Sequence, residues 1–506
     1  MIYKNVLELL ESTEQIYPEK VAFGDEISDI TFSELILGAK AVGSYLINKM
    51  DPCTPVVFCL EKSTKAITGM LGAVYARGFY SLLDVRHPIT RMKNILTVLD
   101  ASIIITDIKH YELAKSINFN GEIIKIEDIL EFPINKKMLK KLRNESQDID
   151  PLYVNFTSGS TGTPKGVTVS HRSVIEFIQH FVNIFDIKSN DIIGNQAPFD
   201  FDVSVKDIYS GLATGAKVQL IPRNYFSNPM QLMDYLIDKN VTVLIWAVSA
   251  MCFISIMNGF GYKVPTSITK VMFSGEIMPI KQLKIWQKYL PNAMYVNLYG
   301  PTEITCNCTY YILDREYEDT EVLPAGIPFP NEKVFLLDKN DELVKKINEP
   351  GEICVSGTAL ALGYYNNLEK TNQVFTQNPL NKKYNELIYR TGDIGRYDED
   401  GNLHYISRKD FQIKHLGHRI ELGEIEVASM SRDGIDRACC LYDEVRKKIV
   451  MFYTGNKEKS KLLEELKGIL PPFMLPNVMI QIQSMPLNKN GKIDRNILKE
   501  MGGKKR

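Results

Sequence analysis

Short apolar runs that end in turn residues alternate along this chain with longer stretches of helical period. TPVVFCL (54–60), ASIIITD (101–107), KVQLIP (217–222) and VTVLIW (241–246) are the runs, and SELILGAKAVGSYLINKM (33–50) is a helical stretch. A run that is apolar at every position has to be buried on both faces, so this alternation predicts α/β architecture with largely parallel sheets covered by helices. After about residue 310 the texture changes to short strands separated by turns, KVFLLDKNDELV, GEICVSG and LIYRTGDIGRYDEDGNLHYI, the last containing an Asp400-Gly401 hairpin signal. A β-barrel-like subdomain is expected there.

The 506 residues exceed one ordinary core. The expected division is a large core domain over 1–409 that binds nucleotide and acyl substrate, and a small mobile α+β domain over 410–506. The hinge is placed at about 407–411. In the small unit, strands at ACCLYDEV and KIVMFYTG flank the Lys/Glu-rich helix KSKLLEELKGIL. EFPINKKMLKKLRNESQDID is expected to be an exposed, charged connector.

Lys+Arg 60 against Asp+Glu 61 leaves a net charge of -1, so no global field favours nucleic acid or an anionic membrane. No segment reaches the roughly 20 apolar residues of a membrane span. The N-terminus carries acids throughout and no secretory pattern, so a cytoplasmic location is expected. Cys306-x-Cys308 and Cys439-Cys440 complete no four-ligand zinc pattern, and the eight cysteines read as reduced thiols.

The segment with most chemical content runs from Asn155 to Val167, NFTSGSTGTPKGV, directly after the apolar LYV. Small residues let backbone N–H groups approach phosphate oxygens, hydroxyls add donors, and Lys165 supplies charge. It is not a Walker A loop, because Pro164-Lys165-Gly166 leads into β-prone Val-Thr-Val where a Walker loop opens a helix.

This loop resembles the signature of the adenylate-forming superfamily, which includes acyl-CoA synthetases, adenylation domains of nonribosomal peptide synthetases, luciferases and D-alanine:carrier protein ligases. Eight further elements recur in the family's order: ITFSEL (30–35), QAPFDFDVS (196–204), YVNLYGPTE (295–303), GEICVSG (351–357), YRTGDIGRY (389–397), RKDFQIKHLGHRIELGEIE (408–426), LPPFMLP (470–476) and PLNKNGKIDR (486–495). Two departures stand out: Ser407 replaces a usual Gly and Leu362 a usual Arg.

The resemblance implies a ligase that uses ATP and Mg2+ to join an amino acid to AMP, then passes it to the phosphopantetheine thiol of a separate carrier protein. Such a reaction brings anions together, so it needs cations and positioned donors rather than a side-chain nucleophile. Thr157, Ser158, Gly159, Thr161, Gly162 and Lys165 would hold the β- and γ-phosphates, Thr302 would reach the α-phosphate, and Glu303 would hold the metal. Asn297 and Tyr299 would meet adenine, while Asp393 and Arg408 would hold the ribose. Lys492 would enter from the small domain and bridge the carboxylate and α-phosphate. At an effective dielectric of ~20, a cation about 4 Å from an anion gains on the order of 4 kcal/mol before desolvation. Asp410 matches the family's hinge, and Gly417, in Lys414-His415-Leu416-Gly417, would let the pantetheine arm pass.

For the acyl pocket, Asp202 of Phe201-Asp202-Val203-Ser204 would bind the substrate's α-ammonium group, with Asp200 as a neighbour of structural role. The remaining carried-over pocket positions are Val203, Lys206, Trp246, Met272, Ser274, Leu298, Cys306 and Asn307, with Lys492 completing the set. Lys206 leaves two alternatives. Pointing inward, it needs an acidic or amide partner; pointing outward to a surface acid, it leaves Trp246 to shorten the pocket for a small amino acid.

The stretch around QAPFDFDVSVKDIYSGLATGA, with FSGE at 273–276, resembles the D-alanine:carrier protein ligases most. The chain ends eleven residues after Arg495 without a Gly-Gly-x-Ser segment, hence the expectation of a separate carrier. The rival reading within the class is an acyl-CoA synthetase with coenzyme A as acceptor. A non-catalytic relative would be expected to lack Lys492, Glu303 or Asp393, and all three are present.

Overall fold

In a computed structural model, residues 3–158, 164–409, 412–487 and 493–504 are described. Three of the predicted site residues in the phosphate loop (Gly159, Thr161 and Gly162), the hinge residue Asp410 and Lys492 lie outside them.

Two large sheets carry the α/β part. A seven-stranded sheet runs in the order Gly363–Tyr364, Lys165–Ser170, Pro151–Thr157, Phe79–Leu82, Pro55–Cys59, Ile103–Thr106, Glu122–Lys125. Its last five strands are mutually parallel, whereas Pro151–Thr157 and Lys165–Ser170 form an antiparallel hairpin in which Thr157 faces Lys165. A nine-stranded sheet places Met294–Tyr299, Lys270–Ser274, Val243–Ala247, Ile192–Asn195, Lys217–Leu220 and Val21–Gly24 side by side and parallel, with antiparallel strands at both edges. Pro55–Cys59 and Val243–Ala247 are buried at every position, as uninterrupted apolar runs require.

Local chemistry fixes the helix starts. ITFSEL is a helix entry: Thr31 accepts from the Glu34 N–H and Glu34 bonds back to the Thr31 N–H, a capping box that opens helix Phe32–Leu46. Ser63 and Ser170 cap the helices Thr64–Tyr75 and His171–Ile184 in a one-sided way. The apolar faces of these helices fill one continuous core between the sheets.

The β-rich region is a five-stranded antiparallel sheet in which the long strand Leu387–Tyr397 pairs with Gly351–Gly357, Phe375–Gln377 and Leu403–Arg408. Gly401 sits at φ +80° in the connection after Tyr397, while Asp398 accepts from the N–H groups of Asp400 and Asn402. The Asp400-Gly401 turn therefore forms. Towards the C-terminus, Ile435–Asp443, Lys448–Gly455 and Val478–Gln481 form a three-stranded sheet over helix Lys459–Lys467 with its own apolar core.

The charged connector needs correction. Lys136–Glu145 is a helix capped by Asn135, with Leu139 buried and Arg143 paired with Glu11 at 3.1 Å. One buried leucine among lysines is too sparse an apolar stripe to read as a packed helix. Among the described residues, no helix is long and apolar enough to cross a membrane.

Candidate active site

A deep cavity opens where the C-terminal edge of the nine-stranded sheet meets the phosphate-loop hairpin and the two-stranded hairpin Gln412–His415/His418–Glu421. This is the end of an open parallel sheet at which loops diverge and ligands can enter. Thr157, Ser158, Asp202, Val203, Ser274, Asn297, Leu298, Tyr299, Thr302, Cys306, Asn307, Asp393, Arg408 and Gly417 all line it.

One wall is fit for a nucleoside. Tyr299, on strand Met294–Tyr299, donates its hydroxyl to Asp393 Oδ2 at 2.6 Å, and Arg408 donates to Asp393 Oδ1 at 2.5 Å. The carboxylate is thus fixed in orientation by two donors while retaining lone pairs for a diol. Asn297 is anchored through its Nδ2 to the Pro324 carbonyl at 2.7 Å. Lys414 stands 5.8 Å from the centre of the Tyr299 ring, its pKa lowered by burial.

The phosphate side is held by the second hairpin. Ser158 Oγ donates to the Arg419 carbonyl at 2.8 Å and accepts from the Glu421 N–H at 2.9 Å. Lys165 Nζ lies 3.5 Å from Glu421 Oε1, and Arg419 Nη1 lies 2.6 Å from Glu303 Oε2. Burial opposes ionisation of Glu303, but Arg419, then Lys165 and the Tyr364 hydroxyl outweigh it and hold the carboxyl at about 2. Glu303 is therefore a fully buried anion that depends on a cation, and a hard carboxylate of this kind fits magnesium. The buried Thr157 hydroxyl has no hydrogen-bond partner among the described residues, which suits a phosphate acceptor.

The acyl end rests on a buried polar chain. Lys206, with no solvent exposure, donates to Asn307 Oδ1 at 2.6 Å. Its pKa is lowered by burial, against the pull of Cys306, Asp202 and Asp207. Behind it, Asn195 donates to Asp207 Oδ2 at 2.6 Å, and Lys62 donates to the Asn195 side chain at 3.0 Å and to the Gln196 carbonyl at 2.9 Å. Burial raises Asp207 to about 7 and lowers Lys62 to about 7. The outward alternative for Lys206 is excluded by this geometry. Asp202 is also buried, its carboxyl raised by burial and restrained by Thr302 and Lys206.

The model of AMP-binding enzymes matches residues 10–365. The chain belongs to this family. As such it is a member of the adenylate-forming superfamily, as the nine ordered motifs imply. A mycosubtilin synthase of Bacillus subtilis is 32% identical over 508 residues, covering 98% of this chain and 19% of that protein. Gramicidin S synthase 1 of Brevibacillus brevis is 31% identical over 503 residues, covering 98% of this chain and 44% of that protein, so the chain spans less than half the length of either relative. Two solved structures share the fold. The adenylation domain AlmE of Vibrio cholerae, in complex with glycyl-adenosine-5'-phosphate, has a TM-score of 0.85 at 20% identity, over 100% of this chain and 99% of that one. A holo NRPS protein containing adenylation and PCP domains, bound to a vinylsulfonamide inhibitor, has a TM-score of 0.85 at 21% identity, over 99% and 84%.

Against the AMP-binding motifs, three pocket assignments need correction. Lys206 lies fully buried behind Asn307, which lines the cavity while Lys206 itself does not. Trp246 does not line the cavity: its indole N–H bonds to the Gly194 carbonyl at 2.7 Å and its ring packs against Phe226 and Trp286. Side chains alternate along strand Val243–Ala247, so Ile245 and Trp246 enter different cores, and Trp246 takes one that does not reach the cavity lining. Met272 is buried two residues below Ser274 on the same strand face, under the pocket floor rather than on it. Glu303 and Lys165 are screened from the open cavity by Arg419 and Glu421.

Sequence reasoning missed Arg419, Gln412, Glu421, Tyr364, Lys62 and Asp207. Arg419 and Glu421 flank Ile420, and the polar-apolar alternation of a strand was the available signal. Asp200 lines the cavity near Asp84 and His87, its carboxyl raised to about 7 by burial and then Asp84. Asp84 is already engaged by Arg86 and, at 3.1 Å, by Arg223, so these groups close an ion-pair cluster.

Proposed function

We propose that this chain condenses an amino acid with ATP to give aminoacyl-AMP and pyrophosphate, then transfers the aminoacyl group to the phosphopantetheine thiol of a carrier protein. The observation that carries this reading is that Asp202 opens into the same cavity as Asn297, Tyr299, Thr302, Asp393 and Arg408. A buried carboxylate in the acyl pocket needs a cation, and the α-ammonium group of an amino acid supplies one. A plain fatty or aryl acid would bring no such cation.

Asp393 and Arg408 orient the ribose, Thr302 donates to the α-phosphate, and Ser158, Thr157 and Lys165 cradle the leaving pyrophosphate. Magnesium held by Glu303 would neutralise triphosphate charge. Lys492 then bridges the attacking carboxylate and the α-phosphate from a small domain that rotates about Asp410. Leu416 and Gly417 both take positive φ, 51° and 80°, the pair of angles a two-residue hairpin turn requires, and Gly417 donates its N–H to Glu276 at 2.7 Å. A Cβ on Gly417 would meet the Ala247 side chain at 3.3 Å, so its hydrogen leaves room for a pantetheine arm.

The substrate's side chain ends in a carboxylate or carboxamide. With its oxygen held by Lys206, which can only donate, Asn307 has its N–H donors left for the cavity it lines. Once Asp202 pairs with the substrate ammonium, Lys206 and Lys62 share Asp207 alone, and a hydrogen-bond acceptor completes the balance. Amino-acid-dependent exchange of labelled pyrophosphate into ATP tests the whole reading. Exchange with a plain acid and coenzyme A as acceptor would move the chain to the acyl-CoA synthetases.

A further inference from the structure

Lys206, Lys62, Asp207 and Asp202 form one charged set at the acyl end of the cavity. Burial aside, Lys206 senses Asp202 and Asp207, Asp207 senses Lys206 and Lys62, and Lys62 senses Asp207. Cys306 stands among them without charge, because burial pushes its thiol well above the usual range. From the nucleotide side Lys414 and Glu303 also reach Asp202, with opposite signs. Two cations therefore face two carboxylates before an amino acid binds.

Geometry fixes the charge on Lys62. Its Nζ lies 3.1 Å from the Asn195 carbonyl, 3.0 Å from Asn195 Oδ1 and 2.9 Å from the Gln196 carbonyl. Three acceptors around one nitrogen take three protons, which only the ammonium form carries, although burial works against it. Asn195, with its oxygen held by Lys62, donates Nδ2 to Asp207 Oδ2 at 2.6 Å, while Asp207 Oδ1 has no hydrogen-bond partner among the described residues. When Asp202 takes up the α-ammonium group, Asp207 is left to answer two lysines, and one positive charge is in excess behind Asn307. Protonation of Asp207 would only enlarge that excess. An ionised side chain cancels it, and a carboxamide does not.

We propose that the substrate is an amino acid with an ionised carboxylate in its side chain, and that Lys62, outside the cavity lining, selects carboxylate over carboxamide by supplying the excess charge. The N–H donors of Asn307 serve either group, so charge rather than hydrogen bonding makes the distinction. Lys62 is a positioning residue, acting through Asn195 and Asp207 without touching the substrate.

The inference rests on the proposed adenylation of an amino acid, and its test separates the two. Pyrophosphate exchange is measured on the full chain with aspartate against asparagine and glutamate against glutamine, in both enantiomers. One acid is expected to exceed its amide about tenfold or more in kcat/KM, mainly through KM, as one unmatched charge in a partly screened site can supply. Lys62→Met is expected to lower the acid-to-amide ratio and Lys62→Arg to restore part of it. Asp207→Asn, which keeps the shape and removes the carboxylate, is expected to raise it. A loss of packing would slow acid and amide alike and move no ratio. A parent chain that treats acid and amide equally, favours the amide or exchanges only with other amino acids overturns the inference and leaves adenylation standing. A ratio that Lys62→Met and Asp207→Asn leave unmoved, or move in the same direction, overturns the role of Lys62. Exchange with no amino acid overturns both the inference and the reading it rests on.

Discussion

Lys206 Nζ lies 2.6 Å from Asn307 Oδ1, and neither residue is more than 1% exposed. The pair joins the pocket-lining Asn307 to the buried Asp207 and Lys62, so the ammonium fixes which end of the carboxamide the substrate meets. Lys206→Met keeps the side chain's length and removes the donor. The expected outcome is a fall in kcat/KM for the cognate amino acid of about 10- to 100-fold, the ~1–3 kcal/mol of a lost charged hydrogen bond, carried mainly by KM. Apolar amino acids should gain relative to it in an exchange panel. An unchanged amino-acid profile would remove Lys206 from substrate recognition.

In the proposed reaction, Gly417 bears on transfer more than on adenylation. Its φ of +80° and the 3.3 Å approach to the Ala247 side chain mean that Gly417→Ala adds both strain and a methyl group in the thiol's path. Single-turnover transfer from preformed aminoacyl-AMP to a carrier should slow at least tenfold, with a smaller change in pyrophosphate exchange. Equal slowing of both would place the defect in folding of the hairpin.

Arg91 and Glu424 form an ion pair at 2.8 Å, with side chains 6% and 4% exposed, joining the seven-stranded sheet's helix to the segment after the hairpin. Removing one member of such a pair leaves the other buried and unmatched, at a cost of about 3–5 kcal/mol. Arg91→Ala should therefore lower the thermal midpoint and speed exchange in 412–430, while the Arg91→Met, Glu424→Met double variant recovers much of the loss. No recovery in the double variant would show that the pair acts through something other than charge.

His171 carries a pH prediction. Burial, the largest cause, lowers its pKa from 6.5 to about 3, and Val6 donates its N–H to Nδ1, so the ring stays neutral in the fold. The unfolded chain binds a proton near 6.5 that the folded chain refuses. Its contribution is present above 6.5 and is lost at about 1.4 kcal/mol per pH unit as pH falls toward 3. Denaturant unfolding at pH 7.5 and 5.5 should show a smaller difference in His171→Gln than in the parent chain. An equal difference would mean the imidazole is protonated in the fold.

How far the sequence could be read follows from what kind of information each feature needs. The apolar runs 54–60 and 241–246 gave parallel strands, because burial on both faces leaves its mark in every residue. Asn297, Tyr299 and Asp393 were legible because they stand in ordered motifs, and the structure brings them to one cavity. Trp246 was misplaced because the face a strand residue takes changes with a one-residue shift, which spacing along a motif does not register. The Lys62–Asn195–Asp207–Lys206 chain was invisible, since Lys62 comes from a distant segment and only the packed fold brings it to Asn195. Arg419 and Glu421 were readable as strand residues, yet their partners, Glu303 and Lys165, had already been given other roles.

The central claim is adenylation of an amino acid, and the most direct measurement is exchange of labelled pyrophosphate into ATP across all L- and D-amino acids, with plain acids alongside and a Lys492→Ala control. Strong exchange is expected with an amino acid whose side chain ends in a carboxylate or carboxamide, weak exchange with apolar ones, and loss of the signal in the control. Exchange driven by an acid that lacks an amine, with no amino acid active, would contradict it.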